Sequence, residues 1–237
     1  MHHVISLPYT SEIIKGMRSS AEIVILDFNE ISPSFPQHKN IARFFERCAK
    51  EGRDPRSAKE RQQFNDCFLR ISGKKVLIGR YGEDRAVILE GSSMAREGRT
   101  IHLGIDLFTT GLEEVFCPLD GEVVSAGFEP GPHGYGYWII IKHLLQGETL
   151  YTFYGHLGKR LYVKKIVRAE DCIGNLGDFV DGENGGWSRH LHFQLLDSLP
   201  SKGAAPNGYA TQDQFRKRQR ARLDPARILN IPLADAN

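Results

Sequence analysis

The chain reads as mainly β, α+β overall: an antiparallel β-sheet core preceded by an α-rich N-terminal extension. Two patterns carry this. Beyond Gly73, short runs rich in apolar residues recur between glycine-rich turns, the signature of many short strands in an antiparallel sheet. Before it, apolar residues recur at helical spacing, Ile41, Phe44, Phe45 and Cys48 in one segment and Phe64, Cys67 and Phe68 in the next. There is no internal repeat and no glycine fingerprint opening a helix, which excludes solenoid and dinucleotide-binding architectures.

In order along the chain, Ile23 to Phe28 reads as a short buried strand, closed by the breaker cluster Ser32-Pro33-Ser34-Phe35-Pro36. The first helix starts near Asn40 and ends near Gly52. The second runs from Ser57 to about Leu69, with Phe64, Cys67 and Phe68 facing inward. Strands are expected at residues 76–78, 86–89, 102–107, 121–126, 138–143, 150–154 and 190–196. The glycine-rich segments 127–136 and 177–188 are expected to be flexible loops beside a groove, since sites are commonly built on loops at the edge of a rigid sheet. Trp187, in the second of them, is expected either to wall that groove or to pack beneath the loop. Arg216 to Arg222 is a basic run on a helix, expected as a solvated face, with docking to an anionic polymer as the alternative. Ile228, Leu229 and Ile231 are expected to pack back on the core. This divides the chain into an accessory helical segment at 1–72, a β domain at 73–200 and a basic helix with its tail at 201–237.

Composition narrows the function classes. A net charge of +2 implies no strong polyelectrolyte partner, so nucleic acid is not expected. The apolar stretch Ile23 to Leu26 is too short for a membrane span, and Met1 to Pro8 lacks the basic start of a signal peptide. Four cysteines, Cys48, Cys67, Cys117 and Cys172, are scattered with no Cys-x-x-Cys pair, arguing against a sulfur zinc site and for single buried thiols in a reducing compartment. The cytoplasm is the favoured location, with the periplasm or secretion as the alternative; oligomeric state is not legible.

The chemistry lies in three histidine motifs. In Arg189-His190-Leu191-His192-Phe193-Gln194, strand alternation turns His190 and His192 to one face, roughly 6.5 Å apart. His102-Leu103-Gly104-Ile105-Asp106 sets a histidine and a carboxylate four apart, on one face with Gly104 if the segment is extended. His156 stands between them in Tyr154-Gly155-His156-Leu157. Four histidines and an aspartate suffice for a three-ligand zinc site with an open fourth position and two uncoordinated histidines beside it.

The order and spelling of these motifs resemble the lysostaphin-type zinc endopeptidases, which cleave cross-bridges or stem peptides of bacterial peptidoglycan. That family carries His-x(n)-Asp first, a lone histidine often written Gly-His-Leu second, and His-x-His-Phe-Glu or a close variant third. Pro118-Leu119-Asp120-Gly121-Glu122-Val123 also resembles the family's Pro-x-x-Gly-x-Val strand. The resemblance spans roughly Tyr81 to Leu196. It implies a lysostaphin-like β core, Zn²⁺ held by His102, Asp106 and His192, and His156 and His190 as the catalytic histidines flanking the water and the scissile carbonyl. Gln194 departs from the usual glutamate and is expected to support His192 from behind. A narrower resemblance, through Tyr81-Gly82-Glu83, His102 to Phe108 and Glu183 to Trp187, is to an endopeptidase-like module that some bacteria fuse between a phosphotransferase-like domain and an aminotransferase, an intracellular setting.

The expected function is therefore a zinc metalloendopeptidase acting on peptide bonds of peptidoglycan or related muropeptides, with small soluble peptides favoured over intact sacculi. Two alternatives stand beside it: an intracellular zinc amidase on another small amide, and a non-catalytic binding or regulatory module.

Overall fold

A computed structural model describes residues 13, 23–26, 36–145, 147–162, 164–220 and 223–229. Strand β1 (Ile23–Leu26) is followed by helices α1 (Pro36–Lys50) and α2 (Ala58–Ser72), then β2 (Val76–Gly79). Two single-turn helices, α3 (Ala86–Leu89) and α4 (Ser93–Arg96), lead to β3 (Ile101–His102), β4 (Ile105–Phe108) and β5 (Glu114–Phe116). The long strands β6 (Gly121–Glu129), β7 (Gly136–Leu145) and β8 (Glu148–Leu161) form a meander, followed by β9 (Ile166–Val167) and β10 (Cys172–Leu176). After β11 (His190–Leu196) come β12 (Tyr209–Ala210), α5 (Gln212–Arg220) and α6 (Ala226–Leu229).

Ten strands make one sheet with a path β1-β2-β4-β11-β8-β7-β6-β9, and β10 joins β8 to β5. Only β1 and β2 run parallel within it; the other pairs are antiparallel. The sheet is therefore mainly antiparallel β with a few helices, as the strand pattern predicts. Alternation on β11 explains the layering. Leu191, Phe193 and Leu195 enter the main core with Ile105, Leu107, Ile139 and Ile141, while His190, His192 and Gln194 take the opposite face. Trp138, Ile140, Phe153 and Tyr135 form a second apolar cluster, and Tyr135 and Phe153 from it pack their rings against His192.

Several sequence expectations need correcting. Residues 86–89 form the helical turn α3, not a strand; four consecutive apolar residues are too few for their period to separate the two. The expected strand at 102–107 is broken, with β3 pairing β12 in a separate two-stranded sheet and β4 staying in the main one. Residues 127–129 and 136 belong to the long hairpin of β6 and β7, so the loop between them is shorter than expected. That loop also packs backbone to backbone against the second glycine-rich segment: Tyr137 N–H donates to Glu183 O at 3.0 Å, and a Cβ on Gly136 would lie 1.8 Å from that oxygen. Only glycine permits the approach.

Helix α2 begins where Ser57 caps it, its hydroxyl accepting from Glu60 N–H. Phe64 and Phe68 pack against the cluster of Leu69, Leu77 and Phe108, as apolar periodicity predicts, but the rest of the inward face differs. Cys67 is exposed, whereas Gln62, Asn65 and Leu69 are buried. Gln62 Oε1 accepts from Arg189 N–H at 2.6 Å and its Nε2 donates to Thr109 O at 3.0 Å, while Asn65 Nδ2 approaches Ser188 Oγ at 3.4 Å. The polar face of α2 thus satisfies backbone groups at the ends of β4 and β11 that no strand pairs. Cys48 and Cys117 are buried, Cys172 is half-buried, and all four thiols are free. Ile228 and Leu229 pack into the core as expected; the ends of the expected first strand at 27–28, the breaker at 32–35, and Ile231 lie outside the described residues. Among the described residues no helix is long and apolar enough to cross a membrane.

Candidate metal centre

Strand register assembles the centre. In the antiparallel pairing of β4 with β11, Asp106 stands directly opposite His192, and His192 stands opposite Gly155 of β8 on its other side. His102 ends β3, and a short break lets it approach the same point from the neighbouring sheet. Gly104, in that break, makes room for the His192 ring. A Cβ there would lie 2.5 Å from His192 Cε1 and 2.8 Å from Phe193 O. Gly104→Ala should therefore displace His192 and lower zinc affinity about 10- to 100-fold, the usual cost of losing support behind a metal ligand. A competition titration against a chromogenic chelator reads this directly, and unchanged affinity would mean the strand shifts without consequence.

Three donor atoms converge. His102 Nε2 lies 3.1 Å from His192 Nδ1 and 3.3 Å from Asp106 Oδ1, and His192 Nδ1 lies 3.0 Å from Asp106 Oδ1. His102, Asp106 and His192 are all buried. Their other polar atoms are committed elsewhere. His102 Nδ1–H donates to Arg80 O at 2.9 Å, and His192 Nε2–H donates to Gln194 Oε1 at 3.0 Å. Those two bonds fix the tautomers, so the atoms that face one another are bare lone pairs. Asp106 Oδ2 is held by Arg85 Nη1, leaving Oδ1 as its single inward donor.

Three acceptors aimed at one point with no proton to share repel unless a cation joins them. Zinc bonds of about 2.0 to 2.2 Å in tetrahedral geometry would set ligand atoms about 3.3 to 3.5 Å apart. The observed spacing of 3.0 to 3.3 Å is slightly tighter than this, within a few tenths of an ångström, and a nitrogen–nitrogen–oxygen set is one that zinc accepts. Burial, with Arg85 close by, holds His102 down to about 4, so it is neutral and free to ligate near pH 7. For Asp106 burial works the other way, but the Arg85 guanidinium bonded to it opposes burial and the carboxyl lies well below its usual range.

Gln194 supports His192 from behind, as expected, and the structure explains why it is not glutamate. Its Nε2 donates to Asn207 O at 3.2 Å, which assigns the amide orientation. A carboxylate there would face that carbonyl oxygen without a proton to give. Behind Asp106 stand Arg85 and Glu83, to which no sequence motif assigns a role at the centre. Arg85 is buried, bonding Asp106 on one side and Glu83 at 3.0 and 3.1 Å on the other. Burial pushes Glu83 up to about 7 against the opposing pull of Arg85. A Glu-x-Arg spacing just upstream of the first histidine is the only local signal for this pair, and it is weak.

His156 and His190 flank the centre on one side, their rings 4.3 Å apart. His156 Nδ1–H donates to Asn184 O at 2.7 Å and His190 Nδ1–H to Ser188 O at 2.6 Å, so both turn a bare Nε2 toward the cleft. His190 Nε2 is 3.8 Å from Asp106 Oδ1. Burial brings His190 down to about 4 and His156 well below its usual value, making both neutral proton acceptors. His156 holds a left-handed backbone, φ 63°, a conformation costing roughly 1–2 kcal/mol in a non-glycine residue and fixed here by Tyr135 O and Gly177 N–H on its own backbone. The cleft has a volume of about 280 Å³, and Trp187 walls it with His133 edge-on to the indole. Asp178 serves its turn and also pairs with Arg189 at 2.9 Å.

A mainly antiparallel sheet thus presents a buried His-Asp-His cluster that could hold a metal ion, beside two neutral histidines. Residues 100–205 match the model of peptidase family M23. Among solved structures, a zinc-containing peptidase from Vibrio cholerae is 26% identical over 46% of this chain and 31% of its own, with a TM-score of 0.35. The catalytic domain of the antimicrobial peptidase lysostaphin from Staphylococcus simulans is 25% identical over 50% of this chain and 80% of that domain, with the same TM-score of 0.35. The chain thus spans under a third of the length of the Vibrio cholerae peptidase. No curated protein matches it.

Proposed function

We propose that the chain hydrolyses a peptide bond in a muropeptide or related short peptide, with zinc held by His102, Asp106 and His192 and proton transfer carried by His156 and His190. One observation carries this: three lone-pair donors meet at one buried point while two further bare Nε2 atoms face the same cleft. When bound, zinc supplies Lewis acidity, polarising the carbonyl and easing deprotonation of water near neutral pH. His156 and His190 then do what the metal does not. A neutral Nε2 takes the proton of the attacking water, and the imidazolium so formed returns it to the leaving amine. The carbonyls of Asn184 and Ser188 keep each ring in the tautomer this requires. Arg85 keeps Asp106 ionised and oriented without entering the reaction.

Small soluble substrates are favoured over intact sacculi. Four free cysteines suit a reducing compartment, and the narrower resemblance is to an intracellular module. Incubating zinc-loaded protein with purified sacculi, and separately with soluble muropeptides and short glycine or D-alanine peptides, should give new termini by mass spectrometry mainly from the soluble set. Efficient solubilisation of sacculi without that preference would reverse the substrate assignment, and cleavage of only non-peptide amides would favour the amidase alternative.

A further inference from the structure

We propose that Arg61, on helix α2 outside the family-matched span, is a recognition residue for a carboxylate on the substrate; this rests on the zinc-peptidase reading above. Arg61 lines the same cleft as Asp106, His156, His190 and His192. Its Cζ lies 5.3 Å from the centroid of the Trp187 ring, and that ring lies 6.1 and 6.3 Å from those of His156 and His190. An extended peptide advances about 3.3 to 3.6 Å per residue, so Arg61 meets a bound substrate within a few residues of the scissile bond.

What sets Arg61 apart is its lack of a counterion. Among the described residues its guanidinium makes no ion pair and no hydrogen bond, only the stacking contact with Trp187. The other cations of the cleft are engaged, Arg85 with Asp106 and Glu83, and Arg99 with Glu97 at 2.7 Å. Glu129, which also lines the cleft, accepts from Tyr135 N–H. Burial brings the Arg61 pKa down to about 10, which still leaves it charged at neutral pH. A partly desolvated, unpaired guanidinium is costly, and a ligand carboxylate relieves that cost through two parallel hydrogen bonds. The carboxylate belongs either to the peptide's C-terminus or to an acidic side chain near the scissile bond.

The test uses zinc-loaded full-length protein and three short glycine peptides. One ends in a free carboxylate, one in a carboxamide, and one in a carboxamide with glutamate replacing a glycine. Calorimetric binding and hydrolysis should favour one of the two carboxylate peptides over the plain carboxamide by at least about tenfold, and which one it is identifies the source. Arg61→Gln should erase the preference with zinc content and melting temperature unchanged, and Arg61→Lys should restore only part of it because an ammonium lacks the planar fork. Equal binding of all three peptides, or no binding of any, overturns the proposal. So does a preference that survives in Arg61→Gln, since the carboxylate would then sit on the metal. Selective binding without hydrolysis of any peptide would sustain Arg61's role and instead count against the peptidase reading.

Discussion

Asp106→Asn should purify without stoichiometric zinc and show no peptide hydrolysis. The carboxylate sits at the meeting point of both histidine donors, with His102 Nε2 3.3 Å and His192 Nδ1 3.0 Å away. An amide there presents at best a neutral oxygen and at worst an N–H aimed at two lone pairs. Asp106→Ala should lose zinc as well and unfold more readily, because the buried Arg85 loses one of the two carboxylates that pair with it. Comparing the two variants separates ligand loss from destabilisation. A ligand that binds only the folded state raises the melting temperature, so a chelator should lower it in the unmodified protein and leave both variants where they are. Full zinc occupancy in Asp106→Asn would remove this residue from the ligand set.

His156→Ala and His190→Ala should behave in the opposite way, keeping zinc and losing turnover by about 10²- to 10⁴-fold, the usual contribution of a positioned proton-transfer group. Neither ring needs to touch the metal, since each is anchored by a backbone carbonyl rather than by the donor cluster. His190 also stacks on Phe108 at 4.7 Å and on His156, so its removal loosens both neighbours. His190→Gln, nearer in size, checks that the loss is chemical. The His156 site adds an internal control: at φ 63°, His156→Gly should be at least as stable as His156→Ala, by about 1 kcal/mol, while both stay inactive. A metal-free His156→Ala or His190→Ala protein would move that residue into coordination, and unchanged turnover would exclude it from the mechanism.

Much of this centre is visible in the sequence because period-two alternation is short-range. His190-x-His192 fixes its own strand, and β11 runs from His190 to Leu196 as the pattern predicts. What brings Asp106 opposite His192 is strand register, set by residues 86 positions apart, and no local pattern encodes it. The same holds for α2. Phe64 and Phe68 pack inward as their spacing predicts, but Gln62 and Asn65 are also drawn inward, by polar groups at residues 109, 188 and 189. Arg85 and Arg61 are illegible for a related reason: an arginine in a polar segment reads as solvated until the fold closes a cleft over it. Residues 86–89 fail differently, as a run too short to show a period at all.

X-ray absorption at the zinc edge of the purified protein counts and identifies the atoms on the metal. About one zinc per chain is expected, bound by two imidazole nitrogens near 2.0 Å and by oxygen ligands, with no sulfur. A spectrum with sulfur at about 2.3 Å, or with three or more imidazoles, would contradict the assignment of His102, Asp106 and His192.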